Sequence, residues 1–318
     1  MLSKRKDQTE KWAHRLAHFC DFIVESAREQ ANNAAIVICG PTASGKSSLA
    51  MCVAENLDGL IVSADSMQLY RGFDIGTAKP TEADQKKIAH AMIDILDPDQ
   101  SYSVALYTES VTKILLEAQQ SEKQIVICGG TGQYITALLD GISYAKHSRD
   151  HLLRAEIEKE VDNNGLEMLW QELVKLDPQA AQTIAPSDRR RIIRFHEQYR
   201  LTGKTRTEIN QQSRVQDSSL RFVAYYLDPG KVELNHRIID RVDLMLASGL
   251  VDETRTLLDK YPDTSLQPYS GIGYREAVAY LQGKYSLSEM REWIIIHTRQ
   301  YAKRQRTWFR PRTDLYRL

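Results

Sequence analysis

Gly40, Gly45, Lys46 and Ser47 stand in the spacing G-x-x-x-x-G-K-S, inside the stretch from Ala34 to Leu49. A loop with this pattern closes its backbone N–H groups around a di- or triphosphate. Its lysine reaches the outer phosphates and its serine hydroxyl holds Mg²⁺. The candidate binding stretch is therefore Gly40, Pro41, Thr42, Ala43, Ser44, Gly45, Lys46 and Ser47, with Ser47 as the metal-side hydroxyl. Before it, Ile36-Val37-Ile38-Cys39 is a β-branched apolar run of the length of a buried parallel strand. After it, Ser48-Leu49-Ala50-Met51 reads as a helix that turns its positive end toward the same anion.

Two more strand ends carry reactive side chains. Asp65 follows Leu60-Ile61-Val62, where a carboxylate faces the phosphate loop as a base or metal-shell ligand; the competing reading is the N-cap of a following helix. Thr131 sits in Gly129-Gly130-Thr131-Gly132 after Ile125-Val126-Ile127-Cys128, where glycines let the backbone pass close to a ligand, although a turn hydroxyl is an equally ordinary role. Arg237 and Arg241 lie four residues apart on a helix, either as ion partners of Asp240 and Asp243 or reaching for phosphate; periodicity does not choose between them.

The elements that must position these groups alternate. Strands are expected at Ala35–Cys39, Leu60–Val62, Met92–Ile95 and Gln124–Cys128, and again at Phe222–Leu227, with helices between them, one at Ser103–Gln120. That is an α/β fold: a P-loop NTPase-like, mostly parallel sheet with helices on both faces. Residues 34–142 and 220–318 are expected to form this core, and 143–219 a helical insertion. Residues 1–33 form an N-terminal helical appendage, with Trp12, Leu16, Phe19, Ile23 and Ala27 on one face. In the insertion, Arg190, Arg191 and Arg194 share a helix face near few acidic residues, with Arg200, Lys204, Arg206 and Arg214 beyond, which favours an anionic partner over a merely solvated surface. The last helix, Leu287–Phe309, has an apolar seam of Ile294, Tyr301 and Trp308 and a basic stripe of Arg299, Lys303, Arg306 and Arg310 suited to a nucleic-acid backbone.

With 42 basic against 42 acidic residues, the net charge says nothing for or against nucleic acid. Cys20, Cys39, Cys52 and Cys128 form no C-x-x-C pair, which points to buried thiols in a reducing compartment rather than zinc or disulfides. No apolar run spans a membrane and the N-terminus lacks a signal-peptide core, so a soluble cytoplasmic protein is expected.

Taken together, GPTASGKS, ADSMQLYRGFDIGTAKPT, GGTGQYI, SGIGYREA and HTRQYAKRQRTWFR resemble the tRNA dimethylallyltransferases, also called tRNA isopentenyltransferases, over nearly the whole span from Ile36 to Arg310. The resemblance implies transfer of a dimethylallyl group from dimethylallyl diphosphate to N6 of the adenosine immediately 3′ of the anticodon, with Mg²⁺ as cofactor. It makes Asp65 the general base, Thr131 and Arg237 holders of the leaving diphosphate, and the phosphate loop the grip on the donor. Asp65, Ser66, Met67, Gln68, Arg190, Arg191, Arg194, Gly273, Tyr274, Arg275, Lys303, Arg304, Arg306 and Arg310 fall in regions that touch tRNA, and the insertion clamps the anticodon stem-loop. The reactive adenosine must be flipped out to be reached. A monomer free of membrane is expected, of bacterial type because no cysteine follows Cys128 to build a zinc finger. The stop soon after Phe309 suggests a missing C-terminal tail. The rival readings are a P-loop kinase of a nucleoside or small metabolite, transfer to free AMP or ADP, and a non-catalytic RNA-binding protein.

Overall fold

The computed structural model describes residues 2–29, 34–142, 150–212 and 220–318. They divide into two compact units: Met1–Thr136 with Ser218–Leu318, and Ala137–Asp217. In chain order the elements up to the division are α1 (Leu2–Glu29), β1 (Ala35–Cys39), α2 (Lys46–Asn56), β2 (Leu60–Ala64), α3 (Glu82–Lys87), β3 (His90–Ala91), α4 (Val104–Gln120), β4 (Ile125–Gly129) and α5 (Gly132–Leu139). The second unit holds α6 (His151–Asn164), α7 (Leu166–Leu176), α8 (Pro178–Ala181), α9 (Arg189–Thr202) and α10 (Arg206–Gln212). The chain then returns with β5 (Phe222–Tyr226), α11 (Lys231–Ala247), α12 (Leu250–Lys260), α13 (Tyr274–Leu281), α14 (Leu287–Phe309) and β6 (Tyr316–Arg317).

The sheet runs β3-β2-β4-β1-β5-β6 and every pairing is parallel. β1 and β4 are buried at every position, as their unbroken apolar runs require. From β1 the chain crosses leftward to β2 through α2, and from β3 it crosses rightward to β4 through α4. Right-handed crossovers in opposite directions put these two helices on opposite faces of the sheet. The third strand is His90–Ala91 rather than Met92–Ile95, because Met92 and Asp94 take positive φ (62° and 54°) and break the extended ladder.

α1 lies on α2 in the same core cluster: Trp12, Cys20, Ile23 and Val24 are buried with Ile36, Ile38, Leu49, Val53 and Leu227, and Leu16, Phe19 and Ala27 pack at its margin. One expectation fails here. Cys20 and Cys52 form a disulfide between α1 and α2, while Cys39 and Cys128 are buried free thiols. Two helices packed side by side bring together thiols that no sequence motif pairs. Burial pushes the remaining thiols up, Cys39 to about 12 and Cys128 to about 11, so both stay neutral.

The helical unit has its own core of Ile157, Val161, Leu169, Leu173, Ile184, Ile192, Ile193 and Phe195. α9 starts on an Asp188 side chain that accepts from the N–H of Arg191 and ends at Gly203 in the left-handed conformation. Its arginines are not short of acidic neighbours: Arg189 pairs with Asp162 at 2.8 Å, Arg191 with Asp188 at 3.4 Å, Arg194 with the buried Glu197 at 2.8 Å, and Arg200 with Glu160 at 2.7 Å. Arg190 is exposed with no carboxylate partner among the described residues. Arg214 lies outside the described residues. No helix among the described residues is long and apolar enough to cross a membrane.

Cutting the Cys20–Cys52 link, which spans a sequence separation of 32, releases a loop of the size for which closure entropy gives roughly 3–4 kcal/mol. Cys20→Ser is expected to lower the guanidinium midpoint accordingly, and strong reductant should bring the unsubstituted protein down to the same value. Denaturation curves with and without reductant test this; superimposable curves would refute it.

Candidate active site

The phosphate loop leaves β1 at Cys39 and enters α2 at Lys46. Gly45 has φ +94°, a left-handed conformation that favours glycine, and a Cβ built there would press at 3.2 Å on the Arg237 guanidinium, on Leu16 and on the Trp12 ring nitrogen. The first N–H groups of α2 lack partners within the helix and face the loop, which makes an anion seat. Lys46 Nζ donates to the Pro41 carbonyl at 3.3 Å. Burial, with Arg241 adding to it, pulls the Lys46 ammonium below its ordinary range, while Asp65 works the other way.

Three successive loop residues are gripped from outside by side chains of three different helices. The Thr42 N–H donates to Gln305 Oε1 of α14 at 2.8 Å. Arg237 Nε of α11 donates to the Ala43 carbonyl at 2.8 Å. Trp12 Nε1 of α1 donates to the Ser44 carbonyl at 3.2 Å. Gln305 also donates from Nε2 to the Gly130 carbonyl at 3.0 Å, joining the loop to the end of β4.

Asp65, just past β2, opens a turn and not a helix: its Oδ1 accepts from the Met67 N–H at 3.0 Å. The next residue, Ser66, donates its N–H to Thr131 Oγ1 at 3.1 Å, so the Asp65 and Thr131 strand ends are tied directly together. Gln68 accepts from Ser63 Oγ at 2.8 Å and donates to the carbonyls of Thr77 and Ala78. The Gly76 N–H donates to the Tyr274 hydroxyl at 3.0 Å, and Glu253 accepts both from that hydroxyl and from the Ile75 N–H. Lys79 is buried, donating to the Tyr70 carbonyl and pairing with Asp74 and Asp94. The D-I-G-T-A-K segment is thus a loop held in shape, with Gln68 docked against it.

The electrostatic surroundings converge on Asp65. Its charge acts on Lys46, on Arg241 and on Tyr301. Burial and that carboxylate push the Tyr301 phenol well above its ordinary range, with hydrogen bonds from Thr131 and Gln305 opposing. Burial lowers the Arg241 guanidinium, whose NH2 reaches the Thr77 carbonyl at 3.4 Å. Arg241 therefore lies inward with the site.

Several expected contacts have other roles. Gly273 and Tyr274 are buried; Tyr274 is 1% exposed and holds Gly76 and Glu253, so it presents no surface to RNA. Arg306 is bound to Asp228 at 2.7 Å. Lys303, Arg304, Arg310 and Arg275 are exposed, Arg275 pairing with Glu276. In the apolar seam, Ile294 is fully buried but Trp308 is 42% exposed. The glycines at the end of β4 make room for neighbouring protein atoms: a Cβ at Gly129 would lie 2.2 Å from the Ala64 carbonyl, and one at Gly130 2.2 Å from Gln305 Nε2. Sequence reasoning missed Gln305, Trp12 as a loop contact, and Tyr301 as a polar neighbour of Thr131. The available signal was polar Thr298 and Gln305 on the otherwise apolar stripe of Met290, Ile294, Ala302 and Phe309.

A phosphate loop faced by a carboxylate and a hydroxyl on neighbouring strand ends defines an α/β protein of the P-loop class. Residues 68–312 match the family model described as IPP transferase. This chain belongs to that family. It is 40% identical over 284 residues to a tRNA dimethylallyltransferase of Halothermothrix orenii, covering 89% of this chain and 87% of the relative. Among solved structures, it resembles a full-length tRNA isopentenylpyrophosphate transferase from Bacillus halodurans (TM-score 0.65, 35% identity, 90% of each chain). It also resembles a eukaryotic dimethylallyltransferase described as acting on tRNA (TM-score 0.75, 27% identity, 90% of this chain and 73% of that one).

Gln305→Ala removes the acceptor of one buried N–H and the donor to one buried carbonyl. The expected cost is roughly 1–3 kcal/mol for each orphaned group, together with weaker binding of inorganic diphosphate. Chemical denaturation and calorimetric titration measure the two effects separately.

Proposed function

We propose that this protein transfers the dimethylallyl group of dimethylallyl diphosphate to N6 of the adenosine immediately 3′ of the anticodon in tRNA, releasing diphosphate. The observation that carries this reading is the tie from Ser66 to Thr131, which sets Asp65 and Thr131 together beside a P-loop lysine. In the reaction the allylic C–O bond breaks, an N6–C bond forms, and the N6 proton passes to the Asp65 carboxylate. The electron pair of the broken bond stays on the diphosphate, where charge grows. Lys46, the N–H groups of the loop and the N-terminus of α2 stabilise that charge, with Arg237 beside them on the loop. Thr131 completes the set of groups facing the leaving diphosphate.

The donor set suits a magnesium ion held largely by phosphate oxygens and water. Ser47 is an exposed residue whose hydroxyl also meets the Cys128 thiol, and the described residues contain no cluster of His, Cys, Asp or Glu that would capture a metal by itself. Bound there through Ser47, the ion supplies positive charge to the diphosphate.

The acceptor side is read from the turn after Asp65 and from basic side chains on both units. Ser66, Met67 and Gln68 form the turn beside the base, with Gln68 held by Thr77 and Ala78, and we assign this turn to the splayed adenosine. Lys303, Arg304, Arg310 and Arg275 on the core, and Arg190 with its neighbours Arg191 and Arg194 on the helical unit, are assigned to the tRNA backbone. We assign to residues 143–219 the grip on the anticodon stem-loop, and to the whole protein the role of a monomer acting on cytoplasmic tRNA.

Mass spectrometry of parallel reactions with dimethylallyl diphosphate and Mg²⁺ tests the reading. The acceptors are an anticodon stem-loop with the target adenosine, the same loop without it, and free AMP. A gain of one dimethylallyl group on the first alone is expected; gain on AMP, or phosphate transfer from ATP instead, would overturn it. Asp65→Ala is expected to lower turnover about 10²- to 10⁴-fold while tRNA still binds. Arg190→Glu should weaken tRNA binding and reduce the salt slope by about one, seen in titrations at several salt concentrations.

A further inference from the structure

α1 runs parallel to α2 and is fixed to it at three levels. At the start of α2, Trp12 meets the loop; midway, Cys20 is bonded to Cys52; at its end, the Arg28 guanidinium donates to the Asn56 carbonyl at 3.1 Å. The first of these contacts is made to the phosphate loop itself. Trp12 is 4% exposed, and its indole N–H donates to the Ser44 carbonyl. The Arg237 guanidinium, which holds the Ala43 carbonyl, sits 5.7 Å from the centroid of the same indole, and that of Arg15 sits 4.8 Å from it.

The Ser44 carbonyl and the Gly45 N–H belong to one peptide unit. A trans peptide is planar, with its C=O and N–H pointing in opposite directions. A donor that fixes the Ser44 oxygen outward therefore fixes the Gly45 N–H inward, toward the anion seat. Gly45, with left-handed φ and no side chain, has little of its own to hold this plane against rotation. The stack of Arg237 on the indole couples the neighbouring peptide, through Ala43, to the same ring.

We propose that Trp12 is a positioning residue of the donor site. Through the Ser44 carbonyl and through Arg237 it holds the peptide planes of the phosphate loop in the orientation that binds diphosphate, and α1 is the outer wall of that loop. This rests on the donor being an allylic diphosphate seated in the loop, as proposed above. It gives α1 a specific part in donor affinity, distinct from its contribution to the core.

The test compares Trp12→Phe, which keeps the ring and removes the N–H, with Ile23→Val, which trims a fully buried residue of α1 far from the loop. Calorimetry with inorganic diphosphate and Mg²⁺ reads loop affinity without any acceptor, and steady-state kinetics separate the two substrates. Trp12→Phe is expected to raise the diphosphate Kd and the donor KM about 3- to 10-fold, leaving the tRNA KM unchanged. Ile23→Val is expected to lower the melting temperature and leave diphosphate affinity as it was. Should Trp12→Phe not fold, Trp12→His, which can keep a ring N–H, takes its place and is expected to retain more affinity than Trp12→Leu. Unchanged diphosphate affinity in Trp12→Phe would overturn the proposal, as would an equal loss in Ile23→Val. Weakened diphosphate binding in Trp12→Phe, with no transfer to any stem-loop by the unsubstituted protein, would uphold the role of Trp12 and remove the reading of the reaction.

Discussion

An anion-binding loop works by turning N–H groups inward, and the same geometry turns carbonyls outward, where each needs a donor. In this protein that constraint is met by side chains from far along the chain. Arg237 serves Ala43 and Trp12 serves Ser44, while Gln305 takes the N–H of Thr42 and returns a donor to Gly130. The packing of α1, α11 and α14 around the loop follows from this requirement. Each helix buries an apolar face and delivers one polar group to one loop peptide.

The same economy holds on the acceptor side. Asp65 is fixed by its own turn and by the bond from Ser66 to Thr131, which ties the ends of β2 and β4 together. The segment from Asp74 to Lys79 is held by Glu253, Tyr274 and a buried lysine, and presents two carbonyls to Gln68. Polar groups that look available for a substrate in the linear text are largely committed to one another. Lys46, Asp65 and Thr131 are held in place in the same way, which spares entropy that a flexible site would lose on binding.

How much of this was legible depends on whether the cause is local. The phosphate loop, the strand ends and the helix Leu287–Phe309 were readable because periodicity, glycine spacing and strand length act within a dozen residues. What escaped acts across the chain. The bond from Thr42 to Gln305 spans 263 positions and that from Arg237 to Ala43 spans 194. The arginines of α9 looked unbalanced because sequence shows the charges of one helix and not Asp162 or Glu160 on the helix packed against it. The Cys20–Cys52 bond escaped for the same reason, since only the side-by-side packing of two helices brings the thiols together. The glycines at the end of β4 were read as letting the backbone pass close to a ligand; at Gly129 and Gly130 the space is taken by Ala64 and Gln305.

The reach of Gln305 also bears on how the protein comes into being. During synthesis the strand-loop-helix of β1 and α2 leaves the ribosome early, with Trp12 already beside it in sequence. Domains fold as the chain emerges, N-terminal parts first, yet the parallel neighbour β5 and the partners of Ala43 and Thr42 lie beyond residue 220. A nascent chain therefore carries the complete phosphate-loop motif and Trp12 long before it carries Arg237 and Gln305. The loop gains its last partners only after α11 and α14 have been made and docked.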